Sequence, residues 1–137
     1  MTRTGQVDLF TRRVKRVVPA REFNVHVMVA DTLRRWLAPG WRFTHIASGE
    51  MRTERTGARL KRMGVVAGWP DFILLSPHRL AHFLELKRGS LALRDAQAEF
   101  AAYCQEHDYP FAVHCTFDGA LDQLRTWGAV KVRISNG

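Results

Sequence analysis

The sequence predicts an α/β fold, a sheet flanked by helices in a single domain, and three observations carry that expectation. Segments with helical apolar spacing interleave with short apolar or alternating runs in the order αβ(α)ββαβαβ. No internal repeat and no composition break divides the 137 residues. Hydrophobic residues make up 46% of the chain, enough for one real core at this length.

Residues 1–20 are polar, basic and weakly periodic and read as an arm, which leaves 21–137 as the domain. A helix is expected from about 21 to 38. There Val25, Val29, Leu33, Trp36 and Leu37 share one face and Asn24, Asp31, Arg34 and Arg35 take the other. Pro39-Gly40 stops it, and "WRFTHIA" alternates enough for a strand. "SGEMRTERTGARLKRMG" starts as a loop and becomes a short basic helix ending at Gly64. Pro70 lacks a donor and pushes Trp69 toward an extended conformation, so it suits the first residue of a strand. "DFILL" and "LAHFLELK" read as two strands joined by a turn around residues 76–79. Helices are expected over 91–107 and 118–127, the second with Asp118 as its N-cap, on either side of a strand "FAVHCTF". "AVKVRIS" reads as a last short strand.

The net charge of +8 is unevenly placed. Residues 1–21 hold six basic residues against Asp8, and residues 52–62 hold Arg52, Arg55, Arg59, Lys61 and Arg62 against Glu54. Outside these two segments the chain is almost neutral. That distribution suggests a polyanionic partner, most simply nucleic acid, with ordinary solubilising charge as the alternative. No run of about 18 apolar residues and no leader-like pattern occurs, so a soluble cytoplasmic protein without a membrane partner is expected. Cys104 and Cys115 have no metal-type spacing and read as small buried residues in a reducing compartment.

Against this background "GWPDFILLSPHRLAHFLELK" raises a question, because Asp71, Glu85 and Lys87 stand on segments that otherwise read as buried strands. An ionised carboxylate in an apolar setting is costly unless something compensates it. Glu85 and Lys87 are two apart, so they leave the same face of a strand, shared with Ala81 and Phe83. A structural ion pair there would stabilise poorly. Two carboxylates and a lysine converging on one sheet instead suit a divalent cation such as Mg²⁺, which prefers hard oxygen ligands. The lysine could orient or deprotonate an attacking water, or hold a phosphate as a point charge. This geometry requires residue 71 to lie opposite 85, hence an odd-length connection or a bulge between the strands.

Gln97 falls on the inward stripe of the following helix with Leu93, Phe100 and Cys104, either at the site or as a core glutamine bonded to backbone. Glu22 and His26 fall at the N-terminal end of the first helix's apolar face. His26 reads as a core histidine beside the site rather than a ligand. Glu50, in the loop "HIASGEMR", is a metal neighbour, a partner for Arg52 or simply exposed, and the first is favoured.

"PD" opening one strand and "ELK" closing the next resembles the PD-(D/E)XK nuclease superfamily. The fuller run "RLKRMGVVAGWPDFILL…FLELKRGSLALRDAQ", with its G-x-x-x-G, the glutamine after the lysine and the upstream "ExxxH", is similar to the VRR-NUC family. The likeness is closest to the small stand-alone phage and prophage members and spans about residues 21–128. The resemblance implies a restriction-endonuclease-like mixed sheet flanked by helices, and metal-dependent cleavage of DNA phosphodiesters, with branched or flapped DNA as the favoured substrate. It implies Asp71 and Glu85 as ligands of Mg²⁺ (or Mn²⁺), Lys87 as the catalytic lysine, Glu22 as a helix-borne acid helping to hold metal, and Gln97 as the glutamine beside the site. Arg55, Arg59 and their basic neighbours would grip flanking phosphates. Arg94 departs from the serine common at that position, so the helix must be capped differently. The rival reading is a DNA-binding module that has kept the fold and lost the activity. A homodimer through Trp127 and Val130 is also expected, unless both residues close the core edge.

Overall fold

The computed structural model describes residues 18–47 and 53–131, with backbone only for 18–23. In chain order these form α1 (Val18–Trp36), β1 (Arg42–His45), α2 (Glu54–Arg62), β2 (Phe72–Leu75), β3 (Ala81–Leu86), α3 (Asp95–Glu106), β4 (Phe111–His114) and α4 (Phe117–Trp127). The strands build one mixed sheet in the order β1-β2-β3-β4. The first three are mutually antiparallel and β4 runs parallel to β3. A parallel neighbour needs a crossover, and α3 supplies it. The α/β architecture expected from the sequence is therefore present.

Strand alternation divides the interior in two. Phe72, Leu74, Leu84 and Leu86 leave one face and pack with Val29 and Leu33 of α1 and Ala120 and Leu124 of α4 in the main core. The opposite face carries Phe83, which meets Trp69 and the α3 residue Phe100 edge-on at 6.1 and 5.0 Å. Phe100 in turn lies 6.0 Å from Phe111 of β4. Glu85 is two residues from Phe83 and so belongs to this second, α3-covered face.

Several local expectations change. The first helix extends back to at least Val18, so 18–20 are helix rather than arm. It ends at Trp36, two residues short of Ala38, where Leu37 bridges to Val130. Trp36 consequently leaves the apolar face; it is 43% exposed, with the Arg35 guanidinium 5.3 Å from its ring. The third helix starts at Asp95 rather than Leu91, since the Ser90 hydroxyl accepts from the Ala92 N–H and holds 91–94 outside the helix. The cap of α4 is Thr116, whose hydroxyl accepts from the Gly119 N–H at 3.0 Å. Asp118 instead lies in the first turn, where its charge favours the helix dipole. Val130 is buried and Trp127 packs on the core, so both close the core edge and neither offers the exposed patch expected of a dimer. Cys104 is buried as expected, and Cys115 is half-buried. The basic arm and the last strand beyond residue 131 lie outside the described residues, as do Glu50, Arg52 and the side chain of Glu22. No helix among the described residues is long and apolar enough to cross a membrane.

His82 was not foreseen as a core residue. It is 6% exposed, lies between Trp41 and Trp127 at 4.8 and 5.0 Å, and its Nδ1 meets no hydrogen-bond partner among the described residues. Burial disfavours the imidazolium and lowers its pKa below the ordinary 6.5. The unfolded chain thus binds this proton more readily, and His82 contributes stability above pH 6.5 that is lost on acidification. Urea unfolding at about pH 7 and pH 5 should show His82→Phe losing less stability on acidification than the parent; equal losses would exclude this role.

Candidate active site

The site depends first on register. Phe72 pairs with Leu84 and Leu75 with Ala81, so the next position along sets Asp71 beside Glu85. The connection is odd, as this alignment requires. Ser76 and Leu80 close it through the Ser76 N–H to the Leu80 carbonyl at 2.9 Å, leaving Pro77, His78 and Arg79 as the loop. Arg79 takes a left-handed φ of 66°, the usual third residue of a three-residue hairpin loop. The Ser76 hydroxyl accepts from the His78 and Leu80 N–H groups and holds the turn.

Asp71, Glu85, Gln97 and Lys87 then form one hydrogen-bonded row. The Asp71 N–H donates to Glu85 Oε1 at 3.2 Å, and the Leu86 N–H donates to Asp71 Oδ2 at 2.8 Å. Gln97 Nε2 donates to Glu85 Oε2 at 2.7 Å, while Lys87 Nζ donates to Gln97 Oε1 at 3.1 Å. The same oxygen accepts from the Arg94 N–H at 3.0 Å. Gln97 therefore also completes the acceptor half of a capping box. The other half is absent because a guanidinium has no acceptor, which is how the helix manages without serine at position 94. The amide's orientation is set by these partners: its oxygen faces two donors and its nitrogen faces a carboxylate.

Glu85 is 5% exposed. Burial, followed by the charge and hydrogen bond of Asp71, pushes its carboxyl up to about 8; Lys87 pulls the other way without reversing the shift. Two carboxylates this close cannot both ionise cheaply in a desolvated site. A divalent cation between them would offset the repulsion, so the donor set fits a hard cation.

Gly68 fixes where α3 approaches the row. Its φ is +94°, and a Cβ there would lie 2.5 Å from the Ala96 carbonyl oxygen. Gly68→Ala should push the first turn of α3 outward, carry Gln97 away from Glu85 and Lys87, and cost roughly 1–3 kcal/mol. Urea unfolding of the variant checks this, and a loss below about 0.5 kcal/mol would show that the loop yields instead.

The structure also brings up His45, which the sequence reading passed over, and sets it against His26, which was expected beside the site. His26 lies edge-on to His45, with ring centroids 4.5 Å apart, and against Phe72 at 4.6 Å. His45 Nδ1 is 2.8 Å from the Asp71 carbonyl, which the Ile46 N–H also reaches at 2.7 Å. The available signal for His45 was a polar residue sharing the inward face of β1 with Phe43. Arg55, Arg59, Lys61 and Arg62 do not join this cluster; they sit on α2, a helix with no buried residue. Compared with known proteins, the chain matches no family model, no curated protein and no solved structure.

Proposed function

We propose that this protein is a metal-dependent DNA nuclease with a restriction-endonuclease-like fold of the PD-(D/E)XK type, similar to the VRR-NUC family. The observation that carries the reading is the row Asp71–Glu85–Gln97–Lys87, in which a buried carboxyl with a strongly raised pKa stands between a second carboxylate and an amide-tethered lysine. Perturbed groups of this kind concentrate at catalytic sites.

In this reading Asp71 and Glu85 hold Mg²⁺ (or Mn²⁺), which supplies Lewis acidity and charge neutralisation at the phosphodiester. Gln97 fixes the end of a flexible lysine side chain, so Lys87 presents its ammonium at one place to orient water or a phosphate oxygen. Rigid strands on both sides of the pair keep the two carboxylates in register.

The basic helix supplies the grip on DNA. Arg55, Arg59 and Arg62 follow one another at four and three residues, so they form one stripe of an exposed helix. Replacing Arg55 and Arg59 together by alanine should weaken DNA binding and flatten its salt dependence by roughly one log–log unit per lost phosphate contact. Stability should stay within about 0.5 kcal/mol, because neither residue is buried. Binding measured across a salt series checks both, and an unchanged slope would remove α2 from the interface.

Incubation with branched, flapped, single-stranded and linear DNA in Mg²⁺, Mn²⁺ or EDTA tests the whole reading. Metal-dependent cleavage of any of them supports a nuclease. Binding without cleavage under every condition would identify a DNA-binding module on the same fold, and neither binding nor cleavage would overturn the proposal.

A further inference from the structure

We propose that His26, His45 and Asp71 form a second cation site, selective for a transition metal such as Zn²⁺ or Co²⁺, that shares Asp71 with the carboxylate pair. One ring nitrogen from each histidine and one Asp71 carboxylate oxygen lie within 4.8 Å of one another. Ligand atoms around a four-coordinate ion with bonds of about 2.0–2.1 Å sit roughly 3.3 Å apart, so closing the set takes side-chain movements of about an ångström. All three residues are half-buried, which limits how far they can stray.

Two further features favour a metal over simple ring packing. A carbonyl oxygen can only accept, so the contact of His45 Nδ1 with the Asp71 carbonyl makes Nδ1 the protonated nitrogen. The neutral ring then keeps its lone pair on Nε2. A metal-binding histidine is commonly oriented in this way. Secondly, His26, His45, Phe43 and Phe72 line an open groove between α1 and β1, which gives an ion a path from solvent. Arg34 also borders the groove, but its guanidinium pairs with Asp31 at 2.9 Å, which tempers its repulsion of a cation.

The donor types set the selectivity. Two imidazoles and one carboxylate suit first-row transition metals, whereas the Asp71–Glu85 pair offers only oxygen and suits Mg²⁺. Because Asp71 sits between them, occupancy of the histidine side fixes the carboxylate that the hard cation also needs. The site stands on its own geometry and does not depend on the nuclease reading.

Metal-free full-length protein titrated with Co²⁺ tests it. One equivalent should bind with visible absorption bands, and the X-ray absorption spectrum at that loading should show two imidazole neighbours. His26→Ala and His45→Ala should each weaken binding about tenfold or more. Lys87→Ala should bind Co²⁺ like the parent, even where it loses cleavage, so this inference and the nuclease reading fail separately. A spectrum with only oxygen neighbours overturns the site, as does parental affinity in both histidine variants. The spectrum of the unaltered protein decides the matter if a variant does not fold.

Discussion

Lys87→Ala is expected to lower DNA cleavage by roughly a hundred- to ten-thousand-fold while the fold survives, the range associated with losing a positioned proton-transfer or charge-stabilising group. Survival follows from the hydrogen bonds around it. Gln97 Oε1 keeps its bond from the Arg94 N–H, and the Lys87 N–H still pairs with the His114 carbonyl at 2.9 Å. Asp71→Asn should cost cleavage as heavily by a different route. An asparagine oxygen can still accept from the Leu86 N–H, so the local structure holds, but the charge that would face a cation is gone. Removing it should also bring the Glu85 carboxyl down toward its ordinary range, since Asp71 is a cause of its elevation. Steady-state cleavage assays with circular dichroism on the same samples check these outcomes. Near-parental cleavage by either variant would remove that residue from the catalytic group.

Glu85→Gln is expected to reverse its effect on stability with pH when divalent cations are absent. The Glu85 carboxyl titrates near 8 when folded and near 4.5 ordinarily. Below pH 4.5 both states hold the proton and there is no penalty. Between 4.5 and about 8 the folded protein must retain a proton that the unfolded chain has released, so stability falls as pH rises through that window. Glutamine has no charge to desolvate, but its amide nitrogen replaces one acceptor oxygen, a loss of about 1 kcal/mol. The variant should therefore be slightly less stable than the parent near pH 5 and more stable near pH 9, by on the order of 2–4 kcal/mol. Chemical unfolding in EDTA at the two pH values measures the crossover, and parallel pH profiles would show that Glu85 is not held in a protonated pair.

The α/β class and the positions of most elements follow from local patterns. The apolar spacing in α1, the strands on either side of the Ser76 turn and the basic α2 can all be read in windows of a dozen residues, because periodicity reflects which face each element buries. The pairing of Asp71 with Glu85 was also legible, since strand parity leaves only odd connections able to put both acids on one face. Element ends were less legible. The end of α1, the start of α3 and the cap of α4 were decided by a bridge to Val130, the Ser90 hydroxyl with the Gln97 amide, and the Thr116 hydroxyl. Each is a choice among nearby donors and acceptors that spacing does not rank.

What the sequence determined by itself is the content of the site: two acids, a lysine and a glutamine on the inward faces of neighbouring elements. Only the tertiary structure decided how they connect and what else joins them. Gln97 bonds both Glu85 and Lys87 because Gly68 lets the first turn of α3 lie close to the loop before β2. His45, 26 residues away in sequence, reaches the Asp71 carbonyl because β1 pairs with β2, and His26 of α1, packed on Phe72 beside Asp71, brings a ring nitrogen within 4.8 Å of the Asp71 carboxylate. His82 is buried for the same reason, its strand position being set by the register with β2. Periodicity reports the face a residue takes on its own element; which residues of other elements meet it there depends on long-range pairing and packing, which no local window of the chain contains.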